Sequence, residues 1–508
     1  MYPSVANGLA VLVALGIGQV RPSEPSDGVP QRPAQSESAQ PASAQPESAQ
    51  PESAQPESAQ PESAQPESAQ PESAQPKSAL SDLLKEALAN NRQLDVSRAR
   101  IAQAEALVQY AEAQAYPRFS AEVLAGGPLP EARTKVVNDL TTTTPSSLQG
   151  DFDFGEMGIA LRTSITGVQP LYTFGKISAG KEAANHVVRA AEQELRITEA
   201  ELALNMVQAF WTLQLTRAFR HALDDGEKTL KKVLERVDAL LEAESLQVTE
   251  NDRMRLRYAL ATLDVRRTET EGAHQQAETA ILLLLGRDQG GRVEIAEAEL
   301  IDHLPSELPD IDQVVDAARH RRPDLLALRE IVKAEEAFTE LRRRQFWPDV
   351  FLGGAIHYAY QSNATNQTDP FIYDPYNSLD MGVAVGLRLE LDVFVKLALL
   401  AQAEAQTRLR TEQARLAEEA TEFEARLIHR GLATALGKLV GLERSNRTAR
   451  GWLTTTALGY DIGTGDAKEL IDAFLAWAAS EAELQKTRFD AIIDFARLAK
   501  AMGELSAQ

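Results

Sequence analysis

The sequence predicts a mostly α-helical chain with a small β part, whose strands are too few to close a barrel within one copy. Three observations lead there. A seven-residue apolar period runs through a long proline-free stretch, four short segments alternate apolar with polar or small residues, and the folded body is duplicated internally.

The helices come first. No proline falls between Pro170 and Pro305, and none after Pro375. Every seventh residue from Val188 reads Val188, Leu195, Leu202, Ala209, Thr216, Leu223, Leu230, Val237. A sustained period of seven packs helices side by side as a coiled coil. A helix from Ser178 to about Glu242, roughly 65 residues rising 1.5 Å each, spans about 100 Å. A matching helix is expected from about Leu397 to Leu458. A soluble coiled-coil scaffold has the same periodicity but has no need of alternating strands.

The duplication supplies the frame. Ala87-Leu-Ala-Asn-Asn-Arg-Gln-Leu94 parallels Ala318-Arg-His-Arg-Arg-Pro-Asp-Leu325. The spacing from Ala87 to Pro117 is 30 residues, as is that from Ala318 to Pro348. Tyr116-Pro117 and Trp347-Pro348 close these segments, and the halves end alike at Leu285-Gly286 and Met502-Gly503. Each half is expected to run helix, strand pair, long helix, returning helix, over 81–286 and 313–508. A connector, 287–312, is expected to wrap the helices as an irregular belt.

The expected strands are Phe119–Ala125, Ile159–Thr166, Val350–Tyr358 and Val383–Leu391. In the last, Val383, Val385, Leu387, Leu389 and Leu391 share one face, and Ala384, Gly386, Arg388 and Glu390 the other. Period-two alternation is the pattern of a lipid-facing barrel strand, though any half-buried strand alternates. In a bilayer every backbone amide must be paired, so a spanning sheet has to close on itself. The smallest outer-membrane barrels have about eight strands, so a chain with four must share its barrel; three chains would supply about twelve. Between the strands, about Pro128–Glu156 and Gln361–Asp380 read as polar surface loops.

The N-terminal region reads differently. Residues 1–20 resemble an export signal: Leu9–Gly18 is a run of ten apolar or small residues, although Met1–Gly8 holds no Lys or Arg. Residues 21–80 read as a disordered linker, with six copies of Pro-Glu-Ser-Ala-Gln; a proline at every fifth position forbids helix. An unselected repeat expansion explains that tract equally well.

Composition narrows the chemistry. The net charge is −22 and no basic patch stands out, which argues against nucleic acid. There is no cysteine, so disulfides, thiolate metal sites and a lipidated N-terminal Cys are excluded for this sequence. No two of the seven histidines lie three or four apart, and nucleophile-elbow, P-loop and dinucleotide motifs are missing. No catalysis, cofactor or metal is expected.

Several short motifs carry a family resemblance. They are Gln169-Pro-Leu-Tyr-Thr-Phe-Gly175, Arg322-Pro-Asp-Leu325, Gly459-Tyr-Asp-Ile-Gly-Thr464 and Leu470-Ile-Asp-Ala473. In this order and spacing the chain resembles the TolC-like outer-membrane efflux family from about Leu80 to Gly503. The resemblance implies a homotrimer, each chain giving four strands to a shared 12-stranded outer-membrane β-barrel that continues as a 12-helix periplasmic α-barrel. Pro117, Pro170, Gly175 and Pro348 would mark strand–helix junctions.

The resemblance also implies a periplasmic end closed by acidic side chains and opened by an adaptor. Glu469 and Asp472 fall on the family's acidic ring, and the duplication sets Asp252 opposite Glu469; solvated helix-face acids are the plain alternative. Adaptor docking is expected at Ser245, Leu246, Gln247, Val248, Tyr460, Ile462, Gly463 and Thr464. Three departures stand out. Gly465 replaces a basic residue that braces the closed tip, Ser245–Val248 lacks the family's Val-Gly-Leu, and Asp392-Val-Phe394 lacks its Pro-Leu-Phe-x-x-Gly. Tyr116, Tyr172, Phe174, Trp347 and Phe394 suit a periplasm-side aromatic belt in the lipid bilayer, or ordinary junction packing. The implied function is a passive, gated conduit for small toxic compounds or type I protein secretion, driven by an inner-membrane RND or ABC transporter. A structural tether between outer membrane and periplasm is the competing class.

Overall fold

The computed structural model describes residues 79–505, apart from 138–146, 245–247, 289–293, 306, 366–373 and 463. The expected export signal lies outside the described residues, as does the expected linker up to residue 78. The described part begins with helices α1 (Leu80–Asn90) and α2 (Arg92–Ala113), then strands β1 (Arg118–Val137) and β2 (Ser147–Tyr172). Next come α3 (Lys176–Glu242) and α4 (Glu250–Leu284), and a 3₁₀ turn at Leu300–His303. The same order follows again: α5 (Ile311–Arg321), α6 (Pro323–Arg344), β3 (Asp349–Gln361), β4 (Ser378–Arg388), α7 (Val393–Asp461) and α8 (Ala467–Ala501).

The long helices exceed expectation slightly, at 67 residues for α3 and 69 for α7. In α3 the heptad positions Leu202, Ala209, Thr216, Leu230 and Val237 are buried, and Val188, Leu195 and Leu223 half-buried. The helices form a single layer in each half of their length. Nearer the sheet the order is α2, α3, α6, α7; farther away it is α4, α3, α8, α7. One long helix therefore lies at an edge throughout: α7.

The returning helices end on the same device in both halves. Gly286 and Gly503 adopt left-handed φ of 70° and 72°. Arg287 N then donates to Leu282 O and Glu504 N to Ala499 O, satisfying carbonyls the helix leaves open. A side chain at Gly286 would strike Asn90 O, and one at Gly503 would strike Arg321 O. So the last turn of each return helix docks on the break between the two helices that open its half. Between the halves, Gln214 Nε2 donates to Ala296 O at 2.8 Å, and Ile295 and Leu300 enter the core beside Trp211. Val314 and Ala318 of α5 pack on Ala425, Leu432, Ala491 and Leu498.

The four strands form one antiparallel sheet in the order β1-β2-β3-β4. Two expectations are corrected. The first hairpin is far longer than Phe119–Ala125 and Ile159–Thr166, so most of the expected loop at 128–156 is strand. Gly126, Gly127 and Pro128 read as a strand end, but the ladder steps over them by a register shift between Gly126 and Leu129 and continues to Val137. Conversely β4 stops at Arg388, leaving Leu389 and Leu391 outside it.

The strand–helix junctions are the most constrained part of the backbone. Pro117 and Pro348 directly precede β1 and β3. Pro170 lies inside β2, where pairing with β3 shifts register before Tyr172, so it marks the end of the ladder and not the junction itself. Gly175 is the N-cap of α3 with φ 81°, and Arg344 Nη1 donates to its carbonyl at 2.9 Å in the space a side chain would fill. Phe174, also left-handed at φ 50°, stacks on Trp347 with centroids 5.5 Å apart. Lys176 and Asp349 bridge the two halves at 2.8 Å. Above the second junction Lys396, 7 % exposed, donates to Glu390 O and pairs with Asp392 at 3.3 Å.

One ion cluster ties α3 to α6. Glu330 receives Lys333 on one oxygen and Arg189 and His186 on the other, at 2.7–2.8 Å. Burial opposes its ionisation, but these three donors outweigh it and hold the carboxyl at about 2, below its ordinary 4.5.

Two expected outcomes follow. Gly175→Ala forces a left-handed Cβ into Arg344 and should cost about 2 kcal/mol, read as the unfolding midpoint in detergent. Gly180→Ala, one turn on with open space around it, should be neutral or gain up to ~1 kcal/mol; equal losses at both positions would refute the account. For Glu330 the folded pKa is depressed, so its contribution is full above pH 4.5 and fades toward pH 2. Glu330→Gln should therefore be less stable than the parent at pH 7, with the gap closing as pH falls through that window.

Candidate functional site

Two places in the fold present unusual surface: the sheet and, some 100 Å away by helix length, the tips where α3 meets α4 and α7 meets α8.

Register assigns the sheet's faces. Pairing across all strands puts Phe119, Ala121, Val123, Leu161, Thr163, Ile165, Leu352, Ile356, Tyr358, Leu379, Met381, Val383, Val385 and Leu387 on one side. The pattern is apolar apart from threonine, the tyrosine hydroxyl and, at the base, Gln169 opposite Leu352. These side chains are exposed or half-covered in the single chain, Val383 being 76 % and Met381 73 % exposed. The opposite side carries Ser120, Glu122, Arg162, Ser164, Thr166, His357, Asp380, Gly382 and Ala384. A continuous apolar face of this size has no place in water. Among the described residues the sheet's outer strands, β1 and β4, each present an edge with no partner strand, apart from a single bridge from Ala364 and Thr365 to Ala132 of β1. At its base Tyr116, Tyr172, Trp347 and Phe394 are exposed, while Phe174 is half-buried between Tyr172 and Trp347. Among the described residues no helix is long and apolar enough to cross a membrane.

At the far tips, α4 starts with a capping box. Thr249 Oγ1 accepts from Asp252 N, and the Asp252 carboxylate takes Thr249 N at 3.0 Å. Asp252 is therefore committed to a helix cap, a role invisible from its duplicated position alone. Asp466 caps α8, accepting from Lys468 N. Glu469 and Asp472 follow, exposed and three apart, on one face of the first turns of α8.

The expected docking residues divide. Ile462 is 75 % exposed and Thr464 is exposed. Val248 and Tyr460 are buried instead, 6 % and 5 % exposed, in a core with Leu230, Val233, Val237, Leu256, Leu470, Ile471 and Phe474. Their apolar bulk seals the tip from inside. Ser245, Leu246, Gln247 and Gly463 lie outside the described residues. Burial raises the Tyr460 phenol above its ordinary value; Arg236 opposes this, and Asp252 and Asp461 add to it.

Gly465 has a steric explanation. Thr464 N and Gly465 N both donate to Gly459 O, folding the turn so tightly that a Cβ at 465 would lie 2.6 Å from Tyr460 N. No basic side chain fits there in this turn. A cation reaches the tip from elsewhere: Lys232 of α3 pairs with Asp461 at 3.3 Å.

This geometry meets independent likenesses. Residues 83–287 match the model of the outer membrane efflux protein family. That stretch, about two fifths of the chain, is similar to the outer-membrane efflux proteins. The chain is 26 % identical over 285 residues to the probable efflux pump outer membrane protein TtgC of Pseudomonas putida, covering 54 % of this chain and 53 % of that one. It is 25 % identical over 280 residues to the cation efflux system protein CusC of Escherichia coli, covering 54 % of each. The chain thus spans about half the length of the curated relatives it matches. In three dimensions it superposes on the outer membrane protein VceC of Vibrio cholerae with a TM-score of 0.66 at 18 % identity, covering 84 % of this chain and 96 % of that one. The fold is that of a TolC-like channel protomer, a four-stranded sheet continued by long helices.

The tip turn yields a prediction. Gly465→Ala should loosen the turn at a cost of about 1–3 kcal/mol, and Gly465→Arg no less. Hydrogen exchange should lose protection at the Thr464 and Gly465 amides while the middle of α3 keeps its own. Undiminished protection in both variants would show that the turn has room for a side chain.

Proposed function

We propose that three copies of this chain close a 12-stranded barrel in the outer membrane and a 12-helix tunnel beneath it, forming a gated, passive conduit for export. One observation carries this: the sheet and both helical layers end at open edges on the same two flanks. On one flank lie β1, α2 and α4; on the other lie β4 and α7. A ladder with unpaired edges and an apolar face is stable in lipid only when the next copy continues it. The free side of α7 supports the same association. Leu409, Leu416 and Phe423, seven apart, are 50–69 % exposed, and Met254 and Tyr258 of α4 are exposed on the opposite flank. A seven-residue apolar stripe is the pattern that packs helices side by side. Such head-to-tail contacts make a ring when the rotation closes.

In this reading Glu469 and Asp472, repeated by threefold symmetry, narrow the periplasmic mouth and concentrate cations there. Asp252 lies at the same end but spends its carboxylate on the cap, so it contributes charge and not a free ligand. A periplasmic adaptor would dock at Ile462, Thr464 and their neighbours, and an inner-membrane transporter, of RND or ABC type, would supply the driving force. Lys232–Asp461 is the bracing pair that takes the place of a basic residue at 465. The cargo belongs to the class of small toxic compounds or secreted polypeptides, and no catalytic step is involved. The relatives' names speak of efflux of toluene, antibiotics and cations by those proteins.

The test is conduction. Protein purified in detergent should run as a trimer and give cation-preferring steps in planar bilayers. Glu469→Ala with Asp472→Ala should raise, about tenfold, the divalent-cation concentration needed for block. Monomeric material would defeat the shared barrel; unchanged block would defeat the acidic mouth alone.

A further inference from the structure

The register shifts in the first hairpin take backbone carbonyls out of the ladder. Pro130 pairs with Met157 but Glu131 with Asp153, so Phe154, Gly155 and Glu156 have no partner on β1. The end of β3 and the residues after it supply donors to this gap. Gln361 Nε2 donates to Pro130 O and to Asn363 Oδ1, both at 3.0 Å. Asn363 Nδ2 donates to Leu129 O and to Glu156 O, both at 3.1 Å. Every amide proton of the two side chains is used, and three carbonyls beside the shifts are satisfied. Backbone bonds accompany them: Ser362 N donates to Ile159 O and Thr365 N to Ala132 O, each at 2.9 Å. Ser362–Thr365 therefore crosses from β2 to β1, where Ala364 bridges to Ala132, itself 1 % exposed. The other end of the loop is tied down too, since Gln361 N donates to Asn377 Oδ1 at 3.1 Å.

Gly158 shows which face the crossing takes. The shift near Gly126 adds its residue to β1 and leaves β2 regular, so Gly158 shares a side with Arg162 and Ser164. A side chain at Gly158 would strike Ser362 and Asn363. The crossing therefore lies on the polar face of the sheet. We propose that Ser362–Thr365 is a strap across the inner wall of the barrel that sets a size limit at its outer end. The proposal rests on the shared-barrel reading, which turns the polar face inward. Twelve strands about 4.8 Å apart and tilted about 40° enclose about 24 Å between opposite backbones. Three straps, each lying inside that wall, narrow the opening from three sides at one level. Because the strap is bonded along its length, it is a fixed restriction and not a moving one. It discriminates by bulk: small compounds and extended chains pass, and wide solutes from outside are turned away.

The lack of native cysteine makes the test direct. His357→Cys, on the polar face opposite Ser164 and inward of the strap, is made in the full chain and carried in the outer membrane of a bacterial host. A small maleimide, and maleimides on polyethylene glycol of rising mass, are added outside the cells, and labelling is read on assembled protein. With the strap intact the small reagent should label and the largest polymers should not. Gln361→Ala with Asn363→Ala removes the side-chain bonds, and Gly158→Leu, which leaves them their donors, takes the strap's space. Either change should speed labelling by the excluded polymers about tenfold and leave the rate of the small reagent unchanged. Polymer rates unmoved by both changes, or small-reagent rates raised as much as those of the polymers, overturn the size limit. Ala132→Cys with Ala364→Cys should be joined by a short bifunctional thiol reagent whatever the barrel does; failure to join overturns the strap itself. If the strap is joined but no reagent reaches His357→Cys in any chain, the shared barrel falls, and the size limit with it.

Discussion

Unpaired backbone amides at the edges of the sheet are the constraint on which the rest of this molecule turns. In water an open edge is a liability; in hydrocarbon each unsatisfied group costs several kcal/mol and no solvent relieves it. Four strands with an apolar face cannot meet that requirement alone, and the helices repeat the problem in their own terms. Each helical layer stops at α7 on one side and at α2 or α4 on the other. Because α2 runs into β1 and β4 runs into α7, the open flanks of sheet and helices coincide. One rigid contact can then satisfy all of them at once. A fold in which the strands ended on one flank and the helices on another could not close both layers with the same symmetry.

That alignment depends on the junctions. A strand rising about 3.3 Å per residue must become a helix rising 1.5 Å without opening a gap between neighbours. The first half does it with a left-handed pair, Phe174 and Gly175, pinned by Arg344 and by stacking on Trp347. The second half has no such glycine and uses Lys396, folded back onto Glu390 O and Asp392. The duplicated halves solve one geometrical problem by different chemistry, which is why the missing glycine motif after Asp392 does not disturb the start of α7.

Much of this was legible in the sequence, because periodicity and duplication report on which faces are buried. The heptad from Val188 marked the inner stripe of α3, and Pro117 and Pro348 marked strand starts. What escaped was set by tertiary pairing. The long first hairpin crosses Gly126-Gly127-Pro128, residues that locally signal a turn, because β1 and β2 hold each other through a register shift. Asp252 looked like a free acid because only its duplicated position was weighed; the Thr249 three residues before it was signal enough for a cap. Val248 and Tyr460 sit beside turn residues and so read as surface, yet the tip has its own small core. Gly465 read as a lost brace; only the backbone path shows that the turn has no volume for one.

The polar row Glu122, Ser164, His357 and Asp380, on one face of the sheet, shows the same limit from another side. Glu122, His357 and Asp380 belong to three different strands, and a slip of one residue in any pairing would move a member to the apolar face. No linear pattern encodes their company, whereas the apolar alternation that locks the register is plain. The sequence therefore specifies the polar face indirectly: the apolar residues lock the register, and the register assembles the polar row. On this argument the polar positions can change without touching the residues that hold the strands in step.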